Sequence, residues 1–217
     1  MKKFLFKLIL WILILLILVS SVFIGLGYLK YKDAINNLSV VDAVNQIRSK
    51  ENYVKLEDIS ADYKNAVVAV EDHRFYFHKG IDIISMLRAT YVNIRSSSLT
   101  YGASTITQQV GRLLYFTQEK SPIRKAAEIF VAFDLEKNYS KDEILELYLN
   151  IIYFGNGYTG IKDASYGYFK KSPKDLTFYE ATYLAGLPNA PSVYSGNEKL
   201  GEERRLQVVE AVNKYSE

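Results

Sequence analysis

The run Glu71-Asp72-His73-Arg74-Phe75-Tyr76-Phe77-His78-Lys79-Gly80 closes an apolar stretch with two adjacent acids, then supplies aromatics, a histidine and a glycine. Read as a helix, Ser60 to Glu71 puts Glu71 on the face of Val67 and Val68, because residues three and four apart are neighbours. A carboxylate on such a face loses hydration, which raises its proton affinity toward what a general base requires. The competing reading is a pair of acids ending a helix in solvent.

A second acid has similar surroundings. In Arg124-Lys125-Ala126-Ala127-Glu128, Glu128 shares a helix face with Val131, Ala132 and Leu135. Its plain alternative is an exposed Arg124–Glu128 ion pair at i,i+4, in the less favoured order with the cation first. Two desolvated carboxylates on different helices suit glycosyl chemistry, in which one moves a proton and charge develops near the other. Between them, Gly102-Ala-Ser104-Thr105-Ile-Thr107-Gln108-Gln109 places hydroxyls and amides at a helix start, where backbone N–H groups favour anions. Arg112, Lys120, Arg124 and Lys125 follow and could cradle a pyrophosphate, arginine by forked contacts and lysine as a point charge. A capped helix with a solvated basic face would show the same residues.

Other patterns carry less. Gly155-Asn-Gly157-Tyr-Thr-Gly160 matches a dinucleotide fingerprint, but a capped helix precedes it where a strand is required. His73 and His78 are five apart, which misses the i,i+4 spacing of a helical metal pair. His78 reads as a structural hydrogen-bonding group. No serine is followed three residues later by lysine, so the penicillin-reactive acyl-enzyme motif is missing.

Several helices must position these groups. Lys30 to Ser49 carries Ile35, Leu38, Val41, Val44 and Ile47 at three-residue steps and predicts an amphipathic stalk helix. Tyr53 to Leu56 predicts a short strand. Ile81 to Ile94 predicts a weakly held, membrane-facing element running into a mobile loop at Ser96-Ser-Ser98. Thr105 to Tyr115 and Pro122 to Tyr139 read as helices. Ser140-Lys-Asp-Glu143 is a capping box opening a helix from Lys141 to about Tyr153, and Thr177-Phe-Tyr-Glu180 repeats the signature before Ala181 to Leu187.

The N-terminus bears on the compartment. After Lys2, Lys3 and Lys7, the stretch Leu8 to Leu26 is uncharged and long enough to cross ~30 Å of hydrocarbon. Basic flanking residues favour a cytoplasmic N-terminus and an exported remainder. The apolar core is long for a signal peptide, and no small-x-small cleavage site follows it. With no cysteine, the exported fold must hold by packing. The net charge of +3 does not argue for nucleic acid, and the 14% aromatic content, mostly tyrosine, suits a domain at the lipid interface.

Taken in order, Glu71-Asp72-x-x-Phe75-x-x-His78-x-Gly80, Gly102-x-Ser-Thr-Ile-Thr-Gln-Gln109, Arg124-Lys125-x-x-Glu128, Lys141-x-x-Ile-Leu-Glu146-x-Tyr148-Leu-Asn150 with Tyr153-Phe-Gly155, and Leu184-Ala-Gly-Leu187-Pro resemble the motifs of peptidoglycan glycosyltransferases. The resemblance covers about Tyr53 to Ser195. This family includes class A penicillin-binding proteins and monofunctional transglycosylases, and the length here suggests the monofunctional type.

The resemblance implies a mainly α fold: a lysozyme-like helical head and a smaller membrane-associated jaw at about 81–100. The expected layout is residues 1–7 cytoplasmic, 8–27 transmembrane, 28–52 stalk and 53–217 glycosyltransferase domain. It further implies polymerisation of lipid II with inversion, release of undecaprenyl pyrophosphate, and sensitivity to moenomycin. Carried over by motif, Glu71 is the general base, and Glu128 assists departure or orients the pyrophosphate. Asp72, Phe75, His78, Ser104, Thr105, Gln108, Gln109, Arg112, Lys120, Arg124 and Lys125 would line phosphate and sugar subsites. No covalently bound cofactor is expected, and Mg or Mn is an optional companion. Expected partners are lipid II with the growing glycan, the cytoplasmic membrane and cell-wall synthesis proteins, with no nucleic acid. The rival readings are a lysozyme-like hydrolase or lytic transglycosylase, or a non-catalytic wall-synthesis scaffold. The chain departs from the family where lysine usually stands at Arg112 and asparagine often stands at Leu113; Gly111 is also unusual within a helix.

Overall fold

The computed structural model describes residues 2–96, 102, 104–117 and 121–215. Its helices are α1 Lys2–Asn37, α2 Val40–Arg48, α3 Ala61–Glu71, α4 Ile83–Ser96, α5 Ile106–Tyr115, α6 Pro122–Asn138, α7 Lys141–Ile151, α8 Ile161–Phe169, α9 Phe178–Gly186, α10 Pro191–Tyr194 and α11 Glu198–Tyr215. The fold is mainly α, as the sequence implies. Among the described residues the only extended pairings are isolated bridges, Lys79 to Ile81 and Tyr153 to Thr159.

α1 is apolar and long enough to cross a membrane. Its C-terminal third lies along α6, where Tyr28, Tyr31 and Phe130 form a ring cluster with centroids 5.3 to 5.8 Å apart. Tyr31 Oη donates to Asp134 at 2.5 Å. The approach is close at Gly27, where an added Cβ would come within 2.4 Å of the Ala126 Cβ. The single helix expected from Lys30 to Ser49 is broken after Asn37, because Ser39 caps a new helix by accepting the Asp42 N–H. The segment is no free stalk: Val40, Ala43 and Val44 are buried, and Tyr31, Ile35 and Ile47 pack on the core.

α7 is the centre. Every residue from Ile144 to Ile151 is buried, as expected of a helix enclosed on all sides. Its polar members satisfy the neighbouring backbone. Asn150 accepts the Val54 N–H at 2.8 Å and donates to the Val54 carbonyl at 2.9 Å, while Glu146 accepts the Leu56 N–H at 2.7 Å. This corrects the strand expected at Tyr53 to Leu56: α7 side chains hold the segment extended where a neighbouring strand would otherwise do so.

α3 packs on α9 and α11, and α5 lies against α6 and α7. The capping boxes at Ser140 and Thr177 form as read, and Thr105 makes a third with Gln108. The glycine-rich run at 155–160 forms the turn of the Tyr153–Thr159 bridge. Gly160 has φ 84°, and a Cβ there would meet the Asn150 carbonyl oxygen at 2.6 Å. On α4, Ala89 is buried, whereas Ile83, Ile84, Leu87, Tyr91 and Ile94 are exposed. The loop expected to follow, at 97–100, lies outside the described residues.

Candidate active site

Glu71 is the last residue of α3, held where that helix ends against α5. The Gln109 amide nitrogen donates to Glu71 Oε2 at 2.9 Å, and the Tyr148 hydroxyl donates to the Gln109 amide oxygen at 3.4 Å. Burial pushes the Glu71 carboxyl above the ordinary glutamate range, against the opposing pull of the Gln109 hydrogen bond and the Arg204 and Arg112 charges. The same carboxylate lines two cavities, one of about 890 Å³ and one of about 390 Å³. It therefore stands where two bound groups could meet, with the proton affinity of a base.

Asp72 takes a different part. It is buried, accepts the Ile106 N–H at 3.0 Å and lies 3.0 Å from His78 Nε2. The acid that sequence pairs with Glu71 thus fastens the start of α5 to the loop after α3. Phe75 is fully buried and meets the His78 ring edge-on, beneath the same loop. Thr105 completes the joint: its hydroxyl donates to the Gly80 carbonyl at 2.6 Å and accepts the Gln108 N–H. Of the motif residues, Asp72, Phe75, His78 and Thr105 brace the cleft wall.

Glu128, on α6, is 2% exposed. Arg124 contacts Oε1, and Lys125 Nζ lies 3.0 Å from Oε2. The i,i+4 pair is present as the plain reading has it, but it is buried, not exposed. Lys125 also donates to Ser104 Oγ at 2.7 Å and reaches Gln108 Oε1 at 3.5 Å. Burial lowers the Lys125 pKa, opposed by Glu128. The two acids are linked through α5, with Glu71 held by Gln109 and Glu128 tied by Lys125 to Gln108. Both oxygens of Glu128 face cations, and among the described residues no group of three or more His, Asp or Glu side chains could hold a metal ion. These residues do not by themselves fit a resident Mg or Mn, which would need phosphate oxygens for most of its ligands.

The larger cavity is lined by Glu71, Ser104, Gln109 and Arg112, and by Asn189, Arg204 and Gln207. Arg112 Nε is buried without a partner among the described residues, so an anion entering here would meet an unsatisfied donor. Gly111 beside it is explained by packing: an added Cβ would lie 3.0 Å from Val131 Cγ1. Lys120 lies outside the described residues. Sequence reading missed Arg204 and Gln207 on α11. The signal available was the charged helical stretch Glu202-Glu-Arg-Arg205, which carries Val208 buried on the same helix.

A base set at a junction of cavities beside a buried cationic cluster is suited to transferring a glycosyl group away from an anion. Comparison with known proteins agrees. A model of the transglycosylase family matches residues 38–213, and the chain belongs to that family, whose members include peptidoglycan transglycosylase domains. Over 205 residues it is 40% identical to a putative transglycosylase of Cupriavidus necator, covering 93% of this chain and 88% of that one. It is 44% identical to penicillin-binding protein 1F of Bacillus subtilis, over 74% of this chain and 23% of the relative. It is 46% identical to penicillin-binding protein 1A of Neisseria gonorrhoeae, over 67% of this chain and 18% of the relative. The chain thus spans a quarter or less of those penicillin-binding proteins and most of the Cupriavidus relative. The enzyme class is peptidoglycan glycosyltransferase.

Proposed function

We propose that the enzyme polymerises lipid II into linear glycan on the outer face of the cytoplasmic membrane, releasing undecaprenyl pyrophosphate. The observation that carries this is Glu71, a carboxylate of raised proton affinity at the junction of two cavities. Glu71 takes the proton from the 4-hydroxyl of the acceptor N-acetylglucosamine as its oxygen bonds to C1 of the donor N-acetylmuramic acid. The bond from C1 to the pyrophosphate oxygen breaks, and the leaving group departs with the electron pair. An α-linked donor gives a β-linked product by direct displacement, so no covalent intermediate is required.

The cations act on the departing charge. The transition state resembles an oxocarbenium ion separating from an anion, and fixed cations stabilise that charge as it appears. Arg112, Arg124 and Lys125 supply them, Ser104 adds a hydroxyl, and Glu128 orients the two basic side chains of its own helix. Asp72, Phe75, His78, Thr105, Gln108 and Gln109 hold the wall around Glu71. The apolar N-terminal helix would place this cleft at the bilayer, and the exposed apolar face of α4 would rest in the outer leaflet. A hydrolase acting on soluble glycan has no use for either feature, and a scaffold has no use for a base of raised affinity.

Incubation of the purified full chain with labelled lipid II tests the reading. Long glycan and free undecaprenyl pyrophosphate are expected from the wild type and none from Glu71→Gln. Shortening of preformed glycan, with no product from lipid II, would replace polymerisation by the hydrolytic reading.

A further inference from the structure

Away from the cleft, α8, α9 and α11 enclose a cavity of about 300 Å³ lined by Tyr168, Phe169, Tyr179, Tyr183, Glu198 and Glu202. Glu202 and Arg204 are two residues apart, about 200° around α11, so this cavity and the cleft occupy opposite faces of the helix. Four of its six lining residues are aromatic. Tyr183 meets Tyr168 and Phe169 edge-on, with centroids 6.2 and 6.0 Å away, an arrangement that ring quadrupoles favour. Gly201 lets α11 come close to this cluster, since a Cβ there would lie 3.0 Å from the Tyr183 hydroxyl. Glu198 and Glu202, one turn apart, share a face of α11. Burial holds the Tyr183 hydroxyl above its usual pKa, and the charges of both acids add to the effect.

One cation already shows what this surface accepts. The Arg205 guanidinium lies 4.5 Å from the Tyr179 ring centroid and contacts both oxygens of Glu202 at 2.6 to 2.9 Å. It thus stacks on an aromatic face and forks onto a carboxylate at once. Arg205 and the Tyr179 hydroxyl occupy Glu202. Glu198 makes no ion pair among the described residues. The lysines that follow Phe169 are turned elsewhere, Lys171 to Glu180 and Lys170 to the Gly167 carbonyl. An unmatched negative charge therefore stands beside four rings, in a chain whose net charge is +3. A cation would be drawn by this site and not by the protein as a whole. The position speaks for a soluble ligand. Arg88 of α4, the helix with the exposed apolar face, meets α11 at Tyr215, 13 residues or about 20 Å along the helix from Glu202.

We infer that this face docks a partner protein that presents an arginine side chain to the cavity, its guanidinium against the aromatic rings and its charge on Glu198. Arginine suits the site better than lysine, because a planar, weakly hydrated guanidinium stacks on rings and forks onto a carboxylate, as Arg205 does beside it. Arginine and aromatic side chains are also the usual anchors where proteins meet. The margin is apolar: Tyr166, three residues before Phe169 on α8, and Leu206, four after Glu202 on α11, are both exposed. Occupation leaves the carboxylate of Glu71 uncovered, since the cleft opens on the other face of α11.

The probe is an end-capped peptide of glycine and tyrosine around a single arginine, carrying an uncharged dye and titrated onto the full chain in nonionic detergent at constant ionic strength. Wild type should bind it saturably. Glu198→Gln and Tyr179→Leu should each weaken binding roughly fivefold, Glu198→Lys should abolish it, and Tyr179→Phe should stay close to wild type. The same peptide with lysine for arginine should bind several-fold more weakly. Glu198→Gln should melt as wild type does, which marks its binding loss as local. Glu71→Gln should bind the peptide normally, so this outcome is read apart from the reaction in the cleft. A wild type that leaves the peptide free, an unmoved affinity in Glu198→Gln, or a lysine peptide that binds as tightly would overturn the assignment. Displacement of the peptide by an equal concentration of soluble phosphocholine would also overturn it, giving the cavity to a lipid ammonium headgroup instead of a protein.

Discussion

Replacing Gly111 with alanine sets two effects of known size against each other. Alanine in a helix interior is favoured over glycine by about 1 kcal/mol, so on an isolated α5 the change would stabilise. In the fold, the new methyl would lie 3.0 Å from Val131 Cγ1, 3.1 Å from Val131 Cβ and 3.5 Å from the Glu128 carbonyl oxygen. Carbon contacts are comfortable only at about 3.5–4.0 Å. Val131 is fully buried and β-branched on a helix, where essentially one χ1 rotamer is open, so it cannot swing aside. Overpacking of this kind costs about 1–3 kcal/mol. The net expectation is a loss of about 1 kcal/mol, or roughly 2–4 °C in melting temperature for a domain of this size. Function should suffer more than stability. α5 holds Gln109 against Glu71 and Gln108 near Lys125, so driving α5 from α6 displaces both sides of the cleft. Misplacement by about 1 Å can cost about 100-fold, and about a tenfold fall in polymerisation rate is expected for the smaller shift here. Val131→Ala in the same chain should restore much of the rate while adding its own cavity cost. Thermal unfolding and glycan assays of the two singles and the double settle it. A Gly111→Ala protein that melts higher and polymerises normally would refute the reasoning.

Further expectations concern charge and bracing. Gln109→Leu removes a donor that favours ionised Glu71, so the acid limb of the pH–rate profile should move to higher pH; on that limb the rate should fall about tenfold, with little change at high pH. Because the folded-state pKa of Glu71 is raised, the folded protein binds that proton more tightly than the unfolded chain, and the ionised carboxylate is a penalty that is relieved as pH falls. Glu71→Gln should therefore melt higher than wild type at neutral pH, lose that advantage in acid, and make no glycan. Asn150→Ala strips two bonds from the 53–56 segment and should cost about 2–3 kcal/mol in denaturant unfolding, with the polymerisation rate of the folded fraction retained. Moenomycin should inhibit glycan formation, and Lys125→Ala should weaken that inhibition.

Much of this was legible in residue order. The boxes at Ser140 and Thr177 fixed helix starts because their geometry is local, requiring only a hydroxyl and a carboxylate three residues apart. The proton affinity of Glu71 could be anticipated from its apolar face. Other features depended on contacts distant in sequence. Asp72 looks like a partner for Glu71, and only the approach of Ile106 and His78 shows that it secures a joint. Tyr53 to Leu56 has strand-like composition, yet its hydrogen bonds go to Asn150 and Glu146, about 90 residues on. The cleft face of α11 had no motif to announce it. Arg204 and Gln207 matter only because this helix lies across α3, and the glycine at 111 looked like a defect until Val131 was seen opposite it.

The docking of α1 on α6 joins the apolar N-terminal helix directly to the catalytic cleft. One rod begins as an apolar stretch long enough to cross a membrane and ends clamped by Tyr28, Tyr31 and Gly27 to the helix that carries Glu128. Each residue of that rod adds about 1.5 Å of rise and 100° of turn. A single insertion ahead of Gly27 would therefore present a different facet to the lipid, although the clamp itself stays in register. Because Tyr28, Tyr31 and Gly27 fix α1 against α6, a change in the direction of that helix would be felt first at the helix that carries Glu128.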